Sequence, residues 1–208
     1  MIKQATNILP IYPDYITTQK HIKKIAILGD SAVGKSSLAE RFVNSKFDVN
    51  SELTVAGNFL MKKIPNFNGR QEILIISDIA GQKRFEEVRT AFFNGAEIIL
   101  AICDLTRMNT LNNLEKIWIP QFISLNPQEN GSKIKIQFIG NKIDLEDLIV
   151  ISMGDLEKIA KRIGRRYPQV SVLMPCLMTS AKENLLVDEA FGTKKKSISR
   201  VKGILSSF

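Results

Sequence analysis

Four short segments hold the residues able to do chemistry, and they follow one another in a telling order: Gly29-Asp30-Ser31-Ala32-Val33-Gly34-Lys35-Ser36, Asp78-Ile79-Ala80-Gly81-Gln82, Asn141-Lys142-Ile143-Asp144 and Thr179-Ser180-Ala181-Lys182. The first has the GxxxxGKS spacing of a phosphate loop. Apolar residues 25–28 before it read as a short buried strand and residues 37–42 after it as a helix, which is the strand-to-helix context this motif needs. In that setting the backbone N–H groups of Ser31, Ala32, Val33, Gly34 and Lys35 can converge on a phosphate. The helix N-terminus adds positive potential, and Gly29 and Gly34 permit the tight path. Lys35 supplies a cation for the β- and γ-phosphates. Ser36 supplies a hydroxyl for Mg²⁺, a hard ion that takes few protein ligands.

A phosphate loop alone does not choose between ATP and GTP; the third and fourth segments do. Asn141-Lys142-Ile143-Asp144 follows the apolar residues 134–139, at the C-terminal end of a strand, where open α/β sheets bind ligands. The Asp144 carboxylate can accept from the ring N–H and exocyclic amine of guanine, a donor pair that adenine lacks on that edge. Asn141 is placed to tie this loop to the phosphate loop, and the Lys142 stem to cover one face of the base. After the strand at residues 170–178, Ser180 and Ala181 bring a backbone N–H toward the guanine carbonyl, with Lys182 packing nearby. An ATP-dependent kinase sharing the phosphate loop is disfavoured by Asp144 and by the Ser180-Ala181-Lys182 loop.

Together these residues make the chain similar to the small GTPases of the Ras superfamily, and most of all to the Rab branch, over about residues 23–202. Similar wording also occurs at residues 47–59, 80–85 and 103–121. The resemblance implies a slowly hydrolysing GTP switch, a three-layer α/β P-loop GTPase domain and roles in signal transduction and vesicle trafficking. It adds Ser37 to the nucleotide-binding residues. Thr54 becomes the switch I threonine that binds Mg²⁺ and senses the γ-phosphate, and Asp78 holds Mg²⁺ through water. Gly81 offers its N–H to the γ-phosphate, and Gln82 orients the attacking water, so that Lys35, Thr54 and Gln82 form the catalytic set. Phe47 matches the aromatic that lies against the guanine ring, although on the sequence a core residue ending the first helix accounts for it equally well. An exchange factor, a GTPase-activating protein and effectors are implied as partners, with GTP or GDP and Mg²⁺ as ligands.

Several positions depart from the Rab wording. Ser77 and Lys83 replace the tryptophan and acid that usually flank Asp78 and Gln82. Ala56-Gly57 replaces the usual glycine-valine after the switch I threonine, and Ile79 replaces threonine beside the magnesium acid. The first set bears on the surfaces effectors read, Ile79 on hydrolysis. A GTP-binding scaffold with negligible turnover is therefore the alternative to a hydrolysing switch.

Positioning these loops requires strands alternating with helices. Residues 24–28, 58–65, 72–77, 98–103, 134–139 and 170–178 read as six strands of a mostly parallel sheet covered on both faces. Asn68-Gly69 marks a hairpin, so the second and third strands are expected to pair antiparallel at the sheet edge. A chain of 208 residues, 44% hydrophobic, suits one such domain over residues 22–208, preceded by an irregular extension at residues 1–21.

Cys103 and Cys176 fall in predicted buried strands, so reduced structural thiols of a cytoplasmic protein are expected. The single Trp118, on a helix with Leu114 and Phe122, reads as core; His21 carries no inference. No stretch reaches transmembrane length. The formal net charge of +8 concentrates at Lys161, Arg162, Arg165 and Arg166 and in residues 194–202. The latter read as a basic last helix of the fold; the alternative is weak peripheral contact with an anionic membrane surface through charge and an apolar stripe of Ile198, Val201, Leu205 and Phe208. The cysteine-free ending Leu205-Ser206-Ser207-Phe208 gives no expectation of prenylation. No aromatic interleaving or reading motif supports nucleic-acid binding.

Overall fold

The computed structural model describes residues 21–44, 54–56, 59–65, 71–78, 93–126 and 133–193. All six expected strands form: β1 (His21–Leu28), β3 (Phe59–Pro65), β4 (Gln71–Asp78), β5 (Ile98–Asp104), β6 (Ile134–Asn141) and β7 (Val170–Thr179). A three-residue segment, β2 (Thr54–Ala56), too short to show any periodicity, adds a seventh strand at the edge. The order is β2-β3-β4-β1-β5-β6-β7. β1, β4, β5, β6 and β7 all run parallel to one another, whereas β3 pairs antiparallel with both β4 and β2. The Asn68-Gly69 turn lies outside the described residues, and the antiparallel pairing it predicts is observed.

The apolar runs are continuous because the central strands are buried on both faces. Along β1, Ala26 and Leu28 face one core while Ile25 and Ile27 face the other; along β5, Ile99, Ala101 and Cys103 alternate in the same way with Leu100 and Ile102. One face is covered by α1 (Lys35–Val43), through Leu38, Ala39, Phe42 and Val43, together with Val187 and Ala190 of the short α5 (Val187–Ala190). Phe42 stacks on Phe191 with ring centroids 4.1 Å apart and planes at 7°. Each such side chain buried in full contributes about 1.5–3 kcal/mol. Lys62 of β3 closes the far end of α1 by donating to the Phe42 carbonyl at 2.6 Å, which complements the negative end of the helix.

The opposite face carries α2 (Met108–Asn113), a π-helical turn (Leu114–Trp118), α3 (Ile119–Leu125) and α4 (Met153–Arg166). Leu111, Leu114, Ile119 and Phe122, with Leu156, Ile159, Ala160 and Ile163 of α4, fill this layer. A capping box starts α4: Ser152 Oγ accepts from the Asp155 N–H, and the Asp155 carboxylate accepts from the Ser152 N–H. The basic residues Arg165 and Arg166 end that helix, and Arg162 grips Glu115 through two 2.7 Å bonds that hold the Glu115 carboxyl below its ordinary range. Trp118 departs from the sequence reading. It is half-buried at the rim of the core, because its indole N–H is spent on a polar partner described below.

Candidate nucleotide site

The phosphate loop leaves β1 at Gly29 and enters α1 at Lys35. Gly29 takes φ +146° and Gly34 φ +95°, and Ala32 joins them in left-handed space at φ +61°. A Cβ on Gly29 would overlap the Ile102 carbonyl oxygen of β5, and one on Gly34 the Asn141 side-chain amide, so both glycines answer to close approach as well as conformation. No side chain caps the N-terminus of α1. Its positive end therefore faces the loop with no acid in the first turn. Lys35 is buried, and its ammonium reaches back across the loop to the Asp30 carbonyl at 2.7 Å. Ser31, Ala32, Ser36 and Ser37 are exposed, whereas Val33 is buried beneath the loop.

The base-side loops converge on the same place. Asn141, the last residue of β6 and 1% exposed, donates from its amide to the Val33 carbonyl at 2.9 Å. Its side-chain oxygen accepts from Thr179 Oγ1 at 3.1 Å and from the Ala181 N–H at 3.3 Å. One asparagine thus holds three of the four motifs together. Ser180 Oγ donates to Asp144 at 2.5 Å and accepts from the Glu183 N–H at 2.9 Å, which fixes the carboxylate. From α1, Arg41 donates to the carbonyls of Ala181 and Lys182 at 2.9 and 3.2 Å. These contacts enclose a cavity of ≈ 590 Å³ lined by Gly34, Ser37, Glu40, Arg41, Asn44, Asn141, Lys142, Asp144, Leu145, Ala181 and Lys182. Lys182 is exposed and lies 3.7 Å from Glu183.

Behind the cavity, Lys142 adopts φ +73° and its ammonium bonds the Asp104 carboxylate at 2.6 Å. Asp104 is 1% exposed. Burial alone pushes its carboxyl up; the bonds from Lys142, Thr106 and Arg107 more than offset this and hold it at about 2. Arg107 also donates to the Ser31 carbonyl at 3.1 Å. The Asp30 carboxylate accepts from Trp118 Nε1 at 2.6 Å and from Asn113 Nδ2 at 2.7 Å. Asp30, Asp104, Arg107, Asn113, Trp118 and the α1 residues Glu40 and Arg41 were not marked by sequence reasoning. Their only signal was a set of polar residues at the ends of apolar strands or on helices facing the loops.

Thr54 lies in β2, opposite Met61, and Asp78 ends β4, opposite Ile27 of β1 and two residues short of the phosphate loop. Phe47, Gly81, Gln82, Ile79, Lys83 and Gly57 lie outside the described residues. Ser77 corrects one expectation. It is fully buried, its hydroxyl donating to the Ile25 carbonyl at 3.3 Å, because the register with β1 sets it opposite Ala26. The substitution therefore acts inside the sheet and not on an exposed surface. Cys103 and Cys176 are both buried and form no disulfide, and burial pushes the Cys103 thiol well up, as expected of structural cysteines. Among the described residues no helix is long and apolar enough to cross a membrane.

A mostly parallel α/β sheet with a phosphate loop after its first strand, joined through Asn141 to a carboxylate-bearing cavity beyond the ends of β6 and β7, is the architecture of a P-loop GTPase domain. The chain belongs to the Ras family, whose model matches residues 24–200, and within that superfamily to the Rab branch of GTP hydrolases. It is similar to the Ypt/Rab-type GTPase YPT7 of Saccharomyces cerevisiae, at 32% identity covering 83% of this chain and 79% of the relative. It is also similar to the Ras-related protein Rab7 of Pisum sativum, at 34% identity over 86% and 82%, and to RABG3f of Arabidopsis thaliana, at 32% over 83% and 80%.

Proposed function

We propose that the chain is a slow timer whose two switch segments are ordered only while the γ-phosphate is present. The observation that carries this reading is the Asn141 side chain, which locks phosphate loop and base pocket into one cavity of ≈ 590 Å³. In that cavity the guanine edge meets Asp144, the Ala181 N–H meets the base carbonyl, Lys142 and Phe47 flank the ring, and Lys182 closes the rim. The amides of residues 31–37 and the Lys35 ammonium receive the phosphates; on their arrival Lys35 exchanges its Asp30 carbonyl partner for phosphate oxygens.

Ser36 and Thr54 would give their hydroxyl oxygens to Mg²⁺, and Asp78 would hold it through water. The fit rests on an exposed Ser36 at the uncapped start of α1 and on Asp78 ending the strand beside β1. Mg²⁺, when bound, supplies charge neutralisation at the β- and γ-phosphate oxygens. Gln82 orients water for attack, and Lys35 offsets the charge that builds on the phosphoryl group. Ras, with intrinsic turnover on the order of 10⁻⁴ s⁻¹ raised about 10⁵-fold by an activating partner, gives the scale for comparison. Loss of the γ-phosphate releases Thr54 and Gly81, and an effector that reads the ordered state lets go. The protein works in the cytoplasm or on a cytosolic membrane face, with exchange factor, activator and effectors as partners.

Denaturing the purified protein and identifying the released nucleotide tests the class: GDP or GTP supports it, and ADP or ATP overturns it. Single-turnover hydrolysis by Gln82→Leu tests the timer. A large slowing is expected, and an unaltered rate with and without activators leaves a GTP-binding scaffold instead.

A further inference from the structure

The helical layer after β5 contains one irregularity, and it sits where two of its side chains reach the phosphate loop. Residues Leu114–Trp118 form a π-helical turn in which the Ile119 N–H donates to the Leu114 carbonyl, five residues back. At about 3.6 residues per turn, side chains five apart diverge by about 140°, whereas the i→i+5 winding returns them to nearly the same face. Asn113 and Trp118 are such a pair. Both donate to the Asp30 carboxylate, Trp118 Nε1 to Oδ1 at 2.6 Å and Asn113 Nδ2 to Oδ2 at 2.7 Å, so each carboxylate oxygen has its own donor. The carbonyl of the same Asp30 accepts from the Lys35 ammonium at 2.7 Å.

We infer that Asp30, Asn113 and Trp118 form a clamp that positions the phosphate loop, and with it Lys35, for retention of the nucleotide. This rests on the guanine-nucleotide reading of the site given above. A regular α-helix here would turn one of the two donors away and leave half the carboxylate short of a partner. The π turn thus trades regular winding for a two-point grip on the loop. A charge-assisted bond at each end makes the grip stiff, and Arg107 adds a third hold at the Ser31 carbonyl. All three are positioning residues, since none reaches the cavity that receives the base.

The test uses the full chain loaded with a fluorescent GDP analogue and chased with excess GDP in Mg²⁺ buffer. Trp118→Phe and Asn113→Ala should each speed release by about 3- to 10-fold, a share of what a hydrogen bond to a charged group is worth. Asp30→Ala should do at least as much, and adding Trp118→Phe to it should change little, since the partner is already gone. Glu115→Gln breaks the pair with Arg162 on the same helical stretch without touching the loop, and should keep the parent rate. The chain has one tryptophan, so its single indole N–H resonance offers a second readout. It should move upfield and exchange faster in Asp30→Ala.

Release rates within twofold of the parent for both Trp118→Phe and Asn113→Ala, or additive effects in the double variant, overturn the clamp while leaving the nucleotide reading intact. Asn113→Ala carries the test alone if Trp118→Phe fails to fold. A parent protein that retains no guanine nucleotide overturns the functional reading itself and the clamp with it.

Discussion

The amide of Asn141, at the end of β6, donates to the carbonyl of Val33 in the phosphate loop at 2.9 Å, while its oxygen accepts from the Ala181 N–H at 3.3 Å. The phosphate loop and the loops that end β6 and β7 are therefore mechanically one object. Asn141→Ala leaves the Val33 carbonyl, the Thr179 hydroxyl and the Ala181 N–H without this partner. The expected cost is about 1–3 kcal/mol of stability. GDP release should also quicken by roughly tenfold or more, as both walls of the cavity loosen. Calorimetric melting together with fluorescent GDP release checks both figures, and a parent-like release rate would separate the loops after all.

Base selectivity should turn on Asp144, whose carboxylate is fixed by the Ser180 hydroxyl at 2.5 Å. Asp144→Asn replaces an acceptor by a donor. Guanine affinity should fall by at least about tenfold, whereas a base with a carbonyl in place of the exocyclic amine should lose far less. Competition of GDP and XDP for the variant checks this; equal losses for the two would remove Asp144 from base reading.

Acid stability follows from Asp104. Its folded carboxyl is held at about 2, below the ordinary 3.8, so its contribution is complete above about pH 4 and fades as the pH falls through about 2. Lys142→Met removes one of the bonds responsible. The variant should melt below the parent at pH 7, and the gap should close between pH 4 and pH 2. A gap that persists unchanged to pH 2 would show that Lys142 acts through packing alone.

Both cysteines are buried, and burial raises the Cys103 thiol far above the range where thiolate forms at neutral pH. Neither should react with a thiol reagent in the native protein over minutes, and both should react in denaturant. Prompt labelling of the native chain at neutral pH would show that the sheet opens near β5 or β7.

Much of this molecule could be read along the chain, because the interactions concerned are local. Consecutive backbone amides make the phosphate loop, so Gly29 to Ser36 announce it by spacing alone. Strand β5 and residues 25–28 of β1 show as unbroken apolar runs because they are buried on both faces. The antiparallel pairing of β3 with β4 follows from one Asn-Gly turn. Even the bridge from Asn141 to the phosphate loop is expected from its motif, and its amide does reach the Val33 carbonyl.

Other features depend on separations that no local pattern encodes. Trp118 looked apolar on a helical stripe, yet at the rim of the core its indole N–H meets Asp30, 88 residues earlier, from within a π turn. Arg41 reads as a surface residue of α1 until the end of β7 arrives 140 residues later to take its guanidinium. Ser77 resembled a lost surface residue, and the β1–β4 register buried it. Motif chemistry is short-range in the chain and so is written in residue order. The hydrogen bonds that hold the motifs in register join groups far apart in sequence, and only the packed sheet and its two helical layers bring those groups within 3 Å or so of one another.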